Sequence, residues 1–306
     1  MLKNKSLVSI DDVSNEDLEE IFTLSDRMLS IVESNKNPHL MDSKIMATLF
    51  YEPSTRTRLS FESAMHRLGG SVISVSDASS SSVAKGETLA DTIRMAEGYS
   101  DIIVMRHPLE GAARLAAQFS SKPIINAGDG SGQHPTQTIL DLFTMWKEFG
   151  KIDGLKIALI GDLKYGRTVH SLILALSRFN VELTVISPPS LSIPEQFFSR
   201  IPENVKVRKS EKMEGFVEDA DVLYVTRIQK ERFADKNEYL SLIGSYSVDL
   251  KTVDSIKKTA IIMHPLPRID EIKPEVDFTK NARYFKQASY GIPVRMALIS
   301  MILGVN

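Results

Sequence analysis

The sequence contains no cysteine, which excludes disulfides, thiolate metal sites, iron–sulfur clusters and cysteine nucleophiles. Glycine and proline, at 16 and 13 of 306 residues, are too few for a collagen-like or low-complexity chain. An excess of either charge is also missing, because 37 Lys and Arg stand against 39 Asp and Glu, for a net charge of -2. No overall basic field exists to attract nucleic acid or anionic lipid. Any anionic ligand must therefore be held by a local basic cluster.

Long apolar segments are absent as well. Residues 297–305 form an apolar stretch, but Ser300 and Gly304 interrupt it and it is far shorter than the roughly 20 residues that a membrane span needs. Residues 1–10 lack the continuous apolar core of a signal peptide. We therefore expect a cytoplasmic protein, in keeping with the lack of cysteine.

What is present is typical of a globular enzyme or binding protein, with 42% hydrophobic and 25% charged residues and a length that favours two domains. An amphipathic helix is predicted from an N-cap at Ser14, and short apolar segments then alternate with helical patterns. The alternation restarts after a linker-like stretch at 150–154. This pattern predicts an α/β fold of two doubly wound parallel-sheet domains joined by interdomain helices. We place the first domain at residues 1–135 plus 287–306 and the second at residues 136–286.

In such folds, ligands bind beyond the carboxyl ends of the strands. The strand that ends at Phe50 is followed by Ser54-Thr55-Arg56-Thr57-Arg58, which runs directly into a helix. Free N–H groups at the helix start, hydroxyls and guanidinium groups together favour a phosphate cradle. An ordinary capped helix with exposed arginines is the structural alternative.

Further polar groups follow the later strands. His134 and Gln137 lie at the start of a helix, where they can point at a carbonyl group, and Arg167 offers a fork for a carboxylate. In the segment from His264 to Arg268, two prolines remove backbone donors and leave carbonyl oxygens as acceptors. The other segments of this kind are Arg106-His107-Pro108 and Arg227-Ile228-Gln229. Each of these segments also has a purely structural interpretation. These interpretations are a histidine in the core, a turn that allows positive φ, a salt-bridged surface turn and a rigid connection after a strand.

Two other motifs in the sequence give weaker signals. The turn from Gly161 to Gly166 has the spacing of neither a dinucleotide fingerprint nor a P-loop, so it does not support a nucleotide-dependent oxidoreductase. A polar, serine-rich segment such as residues 76–86 is usually a solvated loop. Because it carries Lys85, such a loop could also close over a phosphate. The histidines show no metal-ligand spacing, and we predict no metal site.

The implied ligand thus has a phosphate, a carbonyl to be polarised, an N–H donor and carboxylates. The motifs quoted above together resemble the aspartate carbamoyltransferase family, over essentially the whole chain and in order. The hydroxyl and arginine motif at residues 54–58 is shared with the ornithine enzymes. Those enzymes carry a cysteine where this chain has Pro265, and they lack Arg227-Ile228-Gln229, so the resemblance favours the aspartate branch.

The resemblance implies transfer of a carbamoyl group from carbamoyl phosphate to the α-amine of L-aspartate, in de novo pyrimidine biosynthesis and without a cofactor. The first domain would bind carbamoyl phosphate and the second would bind aspartate. Arg56, Thr57, Arg106 and His134 would be the catalytic residues. The residues implied to bind carbamoyl phosphate are Ser54, Thr55, Arg56, Thr57, Arg106, His134 and Gln137, the carbonyls of Leu266 and Pro267, and Ser81 and Lys85 from a neighbouring subunit. Those implied to bind aspartate are Lys85, Arg167, Arg227 and Gln229.

The same resemblance implies that Glu52 pairs with Arg167 and Arg232 as the domains close, and that three copies form a homotrimer with shared active sites. In that family, catalytic trimers often assemble with zinc-containing regulatory chains that sense nucleotides. Two other functions stay open. One is carbamoyl transfer to another amine such as that of ornithine, and the other is non-catalytic binding of a phosphometabolite.

Overall fold

The computed structural model describes residues 2–76, 85–203, 205–228, 244 and 246–305, and the chain divides into two compact units. The first unit comprises Met1–Phe143 and Tyr290–Asn306, and the second comprises Thr144–Ser289. The chain passes between the units inside two helices, α5 (Pro135–Phe149) and α9 (Tyr284–Leu303). The predicted α/β fold with interdomain helices is confirmed.

The first unit is built on a parallel sheet in the order β2-β1-β3-β4. Its strands are β1 (Ile45–Phe50), β2 (Ser71–Val75), β3 (Ile102–His107) and β4 (Ile124–Asp129). Its helices are α1 (Asn15–Glu33), α2 (Thr55–Arg67), α3 (Leu89–Tyr99), α4 (Ala112–Phe119) and the first part of α5. Apolar side chains of β1, β3, α3 and α4 form a continuous buried cluster between the sheet and these helices.

The opening helix α1 begins where the sequence predicts. The Ser14 hydroxyl accepts a hydrogen bond from the Asp17 backbone N–H (3.1 Å), and the Asp17 carboxylate accepts one from the Ser14 N–H (3.2 Å). This reciprocal capping box satisfies two donors that the helix itself leaves unpaired. Leu18 and Ile21 on the apolar face are buried.

The second unit has a parallel sheet in the order β7-β6-β5-β8-β9. Its strands are β5 (Lys156–Ile160), β6 (Glu182–Ile186), β7 (Lys206–Ser210), β8 (Val222–Val225) and β9 (Ile261–Met263). Its helices are α6 (Arg167–Leu176), α7 (Glu195–Phe198) and α8 (Leu250–Ser255), together with the parts of α5 and α9 that belong to this unit. The sequence reasoning did not predict α8, which is only six residues long and is capped by Asp249.

Each sheet reverses its strand order once. In the first unit the chain moves outward from β1 to β2 and then returns to β3 on the other side of β1, where Phe50 is paired with Arg106. In the second unit the reversal lies between β5 and β8, where Ile160 is paired with Val225. Loops diverge at such switch points and leave a crevice, which is where open α/β sheets bind ligands. Both switch points coincide with loops that carry candidate functional residues.

No helix in the described part of the chain is both long enough and apolar enough to cross a membrane.

Candidate active site

The predicted phosphate cradle lies at the switch point of the first unit. Ser54 has an extended backbone immediately before α2, and its side chain makes no capping hydrogen bond to the helix. Thr55 and Arg56 are exposed and Thr57 is buried, while the first turn contains no acidic side chain. Partial desolvation lowers the pKa of Arg56. The N–H groups and the positive dipole end of α2 are therefore offered to an anion with no acidic side chain in the first turn of the helix.

Arg106, at the end of β3, is fixed beside this cradle. Its Nη1 donates to the carbonyl oxygen of Ala127 (3.2 Å), and its Nη2 donates to Oε1 of Glu52 (2.6 Å). Its backbone carbonyl accepts a hydrogen bond from the Tyr51 N–H (2.9 Å), which ties β3 to the loop that leads into α2. The guanidinium is buried and held from two sides, so its plane is set before any ligand arrives.

His134 and Gln137 approach the same edge from β4. The Asp129 carboxylate shapes the turn after β4 by accepting hydrogen bonds from the Asn126 side-chain amide (3.0 Å) and the Gln133 backbone N–H (3.0 Å). The carbonyl of His134 then accepts the Gln137 backbone N–H (3.0 Å), so the chain turns into α5 at this residue. Both side chains are buried. The structure thus brings cradle, Arg106, His134 and Gln137 to the carboxyl ends of three adjacent strands.

In the second unit, Arg167 and Arg227 follow the two strands of the other switch point. The turn after β5 begins with Gly161 at φ +110°, where a Cβ atom would overlap the carbonyl oxygen of Thr226. The Thr226 hydroxyl donates to the Ile160 carbonyl (2.9 Å) and joins the two strand ends. Arg167 opens α6, and Arg227 follows Thr226 directly, so the two guanidinium groups arise from adjacent strand ends. Two guanidinium groups that arise from adjacent strand ends are suited to bind a ligand with two carboxylates.

The segment that follows β9 is held by a buried histidine and glutamate. The Leu266 N–H donates to Nδ1 of His264 (2.8 Å), so Nε2 carries the ring proton and donates to Oε1 of Glu271 (2.7 Å). Burial is the largest single influence and raises the pKa of Glu271, but the hydrogen bond from His264, the attraction of its imidazole and hydrogen bonds from backbone N–H groups together outweigh burial, so the pKa lies below its ordinary value. Leu266 adopts a left-handed φ of +53°, which is unfavourable for a leucine. The His264 contact thus fixes the backbone around the Leu266 and Pro267 carbonyls.

Some predicted site residues lie outside the described residues, namely Ser81, Gln229 and Arg232. Lys85 is described and is exposed, shortly before α3. Among the residues that the structure describes, no group of three or more His, Asp or Glu side chains could hold a metal ion.

The sequence reasoning overlooked two acidic residues. Asp141 accepts a hydrogen bond from the Gln137 side chain (2.8 Å), and its signal was the spacing of four residues, which places an acid on the same face of α5 as Gln137. Glu271 had no comparable signal, because only the folded loop brings it to His264. Both are buried and both act on residues that the sequence had singled out.

Comparison with known families agrees with this arrangement. Residues 5–147 match the model of the aspartate/ornithine carbamoyltransferase carbamoyl-P binding domain, and residues 153–302 match that of the Asp/Orn binding domain. The chain belongs to the aspartate/ornithine carbamoyltransferase family. Within that family, it is 67% identical over 304 residues to the aspartate carbamoyltransferase catalytic subunits of Thermoplasma volcanium and of Thermoplasma acidophilum. The match covers 99% of this chain and 100% of each relative, so the family resemblance found in the sequence is confirmed.

Solved structures give the same result. The catalytic subunit of the M. jannaschii aspartate transcarbamoylase is 55% identical, with a TM-score of 0.93 and coverage of 99% of both chains. The Trypanosoma cruzi aspartate transcarbamoylase in complex with carbamoyl phosphate and aspartate is 40% identical, also with a TM-score of 0.93, and the match covers 99% of this chain and 98% of that one.

Proposed function

We propose that this chain transfers the carbamoyl group of carbamoyl phosphate to the α-amine of L-aspartate, giving N-carbamoyl-L-aspartate and phosphate. The observation that carries the proposal is the pair of switch points. One gathers hydroxyls, helix N–H groups and Arg106, and the other presents Arg167 and Arg227 from adjacent strand ends. Relatives similar over full length are aspartate carbamoyltransferase catalytic subunits, and a similar structure holds carbamoyl phosphate and aspartate. The reaction belongs to de novo pyrimidine biosynthesis, in the cytoplasm.

The first unit supplies the groups assigned to carbamoyl phosphate. Arg106 and the cradle residues Ser54, Thr55, Arg56 and Thr57 bind the phosphate, supported by the free helix start and the fixed guanidinium. Thr57, Arg106 and His134 polarise the carbonyl oxygen. The side chain of Gln137 accepts a carbamoyl N–H, together with the carbonyls of Leu266 and Pro267 from the second unit. We accordingly assign residues 1–135 plus 287–306 to carbamoyl phosphate binding and residues 136–286 to aspartate binding.

The second unit supplies the groups assigned to aspartate. Arg167 and Arg227 bind its carboxylates as charge-assisted partners, with Gln229 and, from a neighbouring subunit, Lys85 as further contacts. Glu52 pairs with Arg167 and Arg232 when the domains close on the substrates. In the structure Glu52 already holds Arg106, which gives the same carboxylate a role in shaping the phosphate site.

The reaction needs positioning and charge stabilisation rather than a cofactor. The aspartate amine attacks the carbonyl carbon, a C–N bond forms and the carbonyl oxygen becomes an oxyanion. Donors preorganised around that oxygen stabilise the tetrahedral intermediate. The bond from carbon to the phosphate oxygen then breaks, and the departing phosphate takes the proton that the amine must lose. The donors to the carbonyl oxygen thus interact more strongly with the intermediate than with the substrate.

The direct test is product formation by the purified chain from carbamoyl phosphate, with L-aspartate and L-ornithine assayed in parallel. We expect turnover with aspartate and none with ornithine, because two guanidinium groups favour a second carboxylate and repel an ammonium group. Turnover with ornithine alone would refute the roles of Arg167 and Arg227. No turnover with either amine, alongside measurable carbamoyl phosphate binding, would indicate a binding protein.

We also propose a homotrimer in which Ser81 and Lys85 complete the site of a neighbouring subunit, with a zinc-containing regulatory chain as a partner. Light scattering is expected to give three times the mass of one chain. The Lys85→Ala and His134→Ala chains should each have very low activity, and mixing them with exchange of subunits should restore much of it, since some sites then receive both native residues. A mixture as inactive as its components would contradict shared sites.

A further inference from the structure

A buried hydrogen bond fixes how the Gln137 amide is turned. Its Nε2 donates to Oδ1 of Asp141 at 2.8 Å, one helical turn further along α5. An ionised carboxylate can only accept hydrogen bonds, so it must face the amide nitrogen, and Oε1 of Gln137 is then directed away from it. An amide turned the other way would place Oε1 of Gln137 against a carboxylate oxygen of Asp141, and the two oxygens would repel each other.

We propose that Asp141 is a positioning residue which holds the Gln137 amide oxygen ready to accept an N–H of the carbamoyl group. This inference rests on the proposed function, because it takes carbamoyl phosphate as the ligand of Gln137. It goes beyond that function by naming the group that lets the site distinguish a carbamoyl from an acyl phosphate.

The surroundings make this orientation strict. Asp141 is fully buried and Gln137 is 9% exposed. Where water has little access, an amide that lost its bond to the carboxylate would find few substitutes, and the carboxylate would be left with an unmet demand for donors. The hydrogen bond therefore selects one amide orientation far more firmly than the same bond on a surface.

Arg295 is a buried cation of the same unit, and its charge interacts with that of Asp141. This side chain, on α9, is 3% exposed, and its guanidinium lies 4.8 Å from the centroid of the Phe61 ring. Burial lowers the pKa of Arg295 to about 10, and the charge of Asp141 opposes that shift. Gly291, one turn earlier on α9, leaves room for the guanidinium, since a Cβ atom there would overlap Nη1 of Arg295.

Phe61 connects this buried cluster to the cradle. It is fully buried on α2, the helix whose first turn carries the phosphate-binding residues. Arg295 thus packs against the helix of the cradle, while Asp141 orients the side chain assigned to the carbamoyl N–H. The Arg295–Phe61 contact therefore supports the helix assigned to the phosphate, and the Asp141–Gln137 hydrogen bond supports the side chain assigned to the carbamoyl group.

The test compares two ligands that differ in one group. Acetyl phosphate has a methyl group where carbamoyl phosphate has its NH2 group, so it offers nothing to the amide oxygen. Dissociation constants for both are measured without aspartate, in the full-length chain and in Asp141→Asn, whose isosteric amide can face Gln137 with either its oxygen or its nitrogen. We expect the preference for carbamoyl phosphate to fall roughly fivefold in the variant, the effect of about one neutral hydrogen bond, with acetyl phosphate binding unchanged.

Three further variants sharpen the result. Asp254→Asn removes an exposed carboxylate from α8 and should leave the preference unchanged. Gln137→Ala should lose the preference to a similar extent, and adding Asp141→Asn to it should change nothing more, as expected of residues that act in series. The double variant Gln137→Glu with Asp141→Asn exchanges donor and acceptor while keeping one buried anion near Arg295. It should regain the preference, and it decides the question if Asp141→Asn alone proves too unstable to measure.

Equal weakening of both ligands in Asp141→Asn would overturn the inference, because it would mean that Asp141 merely supports the fold. So would an unchanged preference, or a native chain that does not prefer carbamoyl phosphate to acetyl phosphate. The outcome is separate from that of the turnover assay. A chain that binds with the expected preference yet forms no carbamoyl aspartate would refute the proposed function and leave the role of Asp141 intact.

Discussion

Replacing His134 with alanine is expected to lower kcat by roughly a hundred- to a thousandfold, the usual effect of removing one oxyanion donor. The imidazole is buried at the start of α5, at the same sheet edge as the cradle and Arg106. The backbone carbonyl of His134, which accepts the N–H groups of Gln137 and Thr138, is kept in the variant. The start of the helix should therefore persist, and the loss should fall on catalysis.

Steady-state kinetics and phosphate binding together test this prediction. Because His134 is assigned to the carbonyl oxygen, the dissociation constant for inorganic phosphate should stay within about twofold of the native value, well under 1 kcal/mol. His66→Ala removes an exposed histidine from α2 of the same unit and serves as the matched control. A His134→Ala chain with near-native kcat would remove His134 from the proposed mechanism.

Replacing Arg106 with alanine is expected to weaken binding of inorganic phosphate by roughly a hundredfold, because two charge-assisted hydrogen bonds contribute about 3 kcal/mol. The loss in kcat/KM should be larger still, since Arg106 is also assigned to the carbonyl oxygen. Calorimetric titration with phosphate measures the first effect, and initial rates with both substrates measure the second.

Arg106→Lys separates charge from geometry. The guanidinium is held by hydrogen bonds to the Ala127 carbonyl and to Glu52, and a lysine ammonium cannot reproduce that planar fork. We expect Arg106→Lys to recover some phosphate affinity but to remain well below the native kcat. Native phosphate binding in Arg106→Ala would exclude this arginine from the cradle.

Local rules explain how much of the fold the sequence predicted. Short apolar segments between helical patterns predicted two parallel sheets, and Ser14 as an N-cap before an amphipathic pattern predicted the start of α1. Boundaries were less accurate where tertiary contacts extend an element. The apolar segment at residues 123–126 predicts a strand there, but β4 continues to Asp129, whose carboxylate organises the following turn. The helical pattern at residues 288–303 predicts the last helix, but α9 already begins at Tyr284.

In the candidate site, too, local sequence signals predicted some features, and tertiary contacts alone created the others. Serines, threonines and arginines at a strand-to-helix turn are a local signal, so the cradle could be predicted from its own residues. The chain order also implied that the strand ends meet at one sheet edge. The pairing of Glu52 with Arg106 joins the loop after β1 to the end of β3, and nothing in the spacing of the sequence marks it.

The sequence by itself therefore determined the fold class, the family, and the chemical types of the groups that face the ligand. Residue type and local spacing suffice for these, because propensity, capping and helix-terminal charge act over a few residues. Only the tertiary structure decided which way those groups point. Asp141 turns the Gln137 amide, and His264 with Glu271 fixes the Leu266 backbone. Orientation in a buried site depends on hydrogen-bond partners and charges brought from other parts of the chain, and these partners meet only after folding.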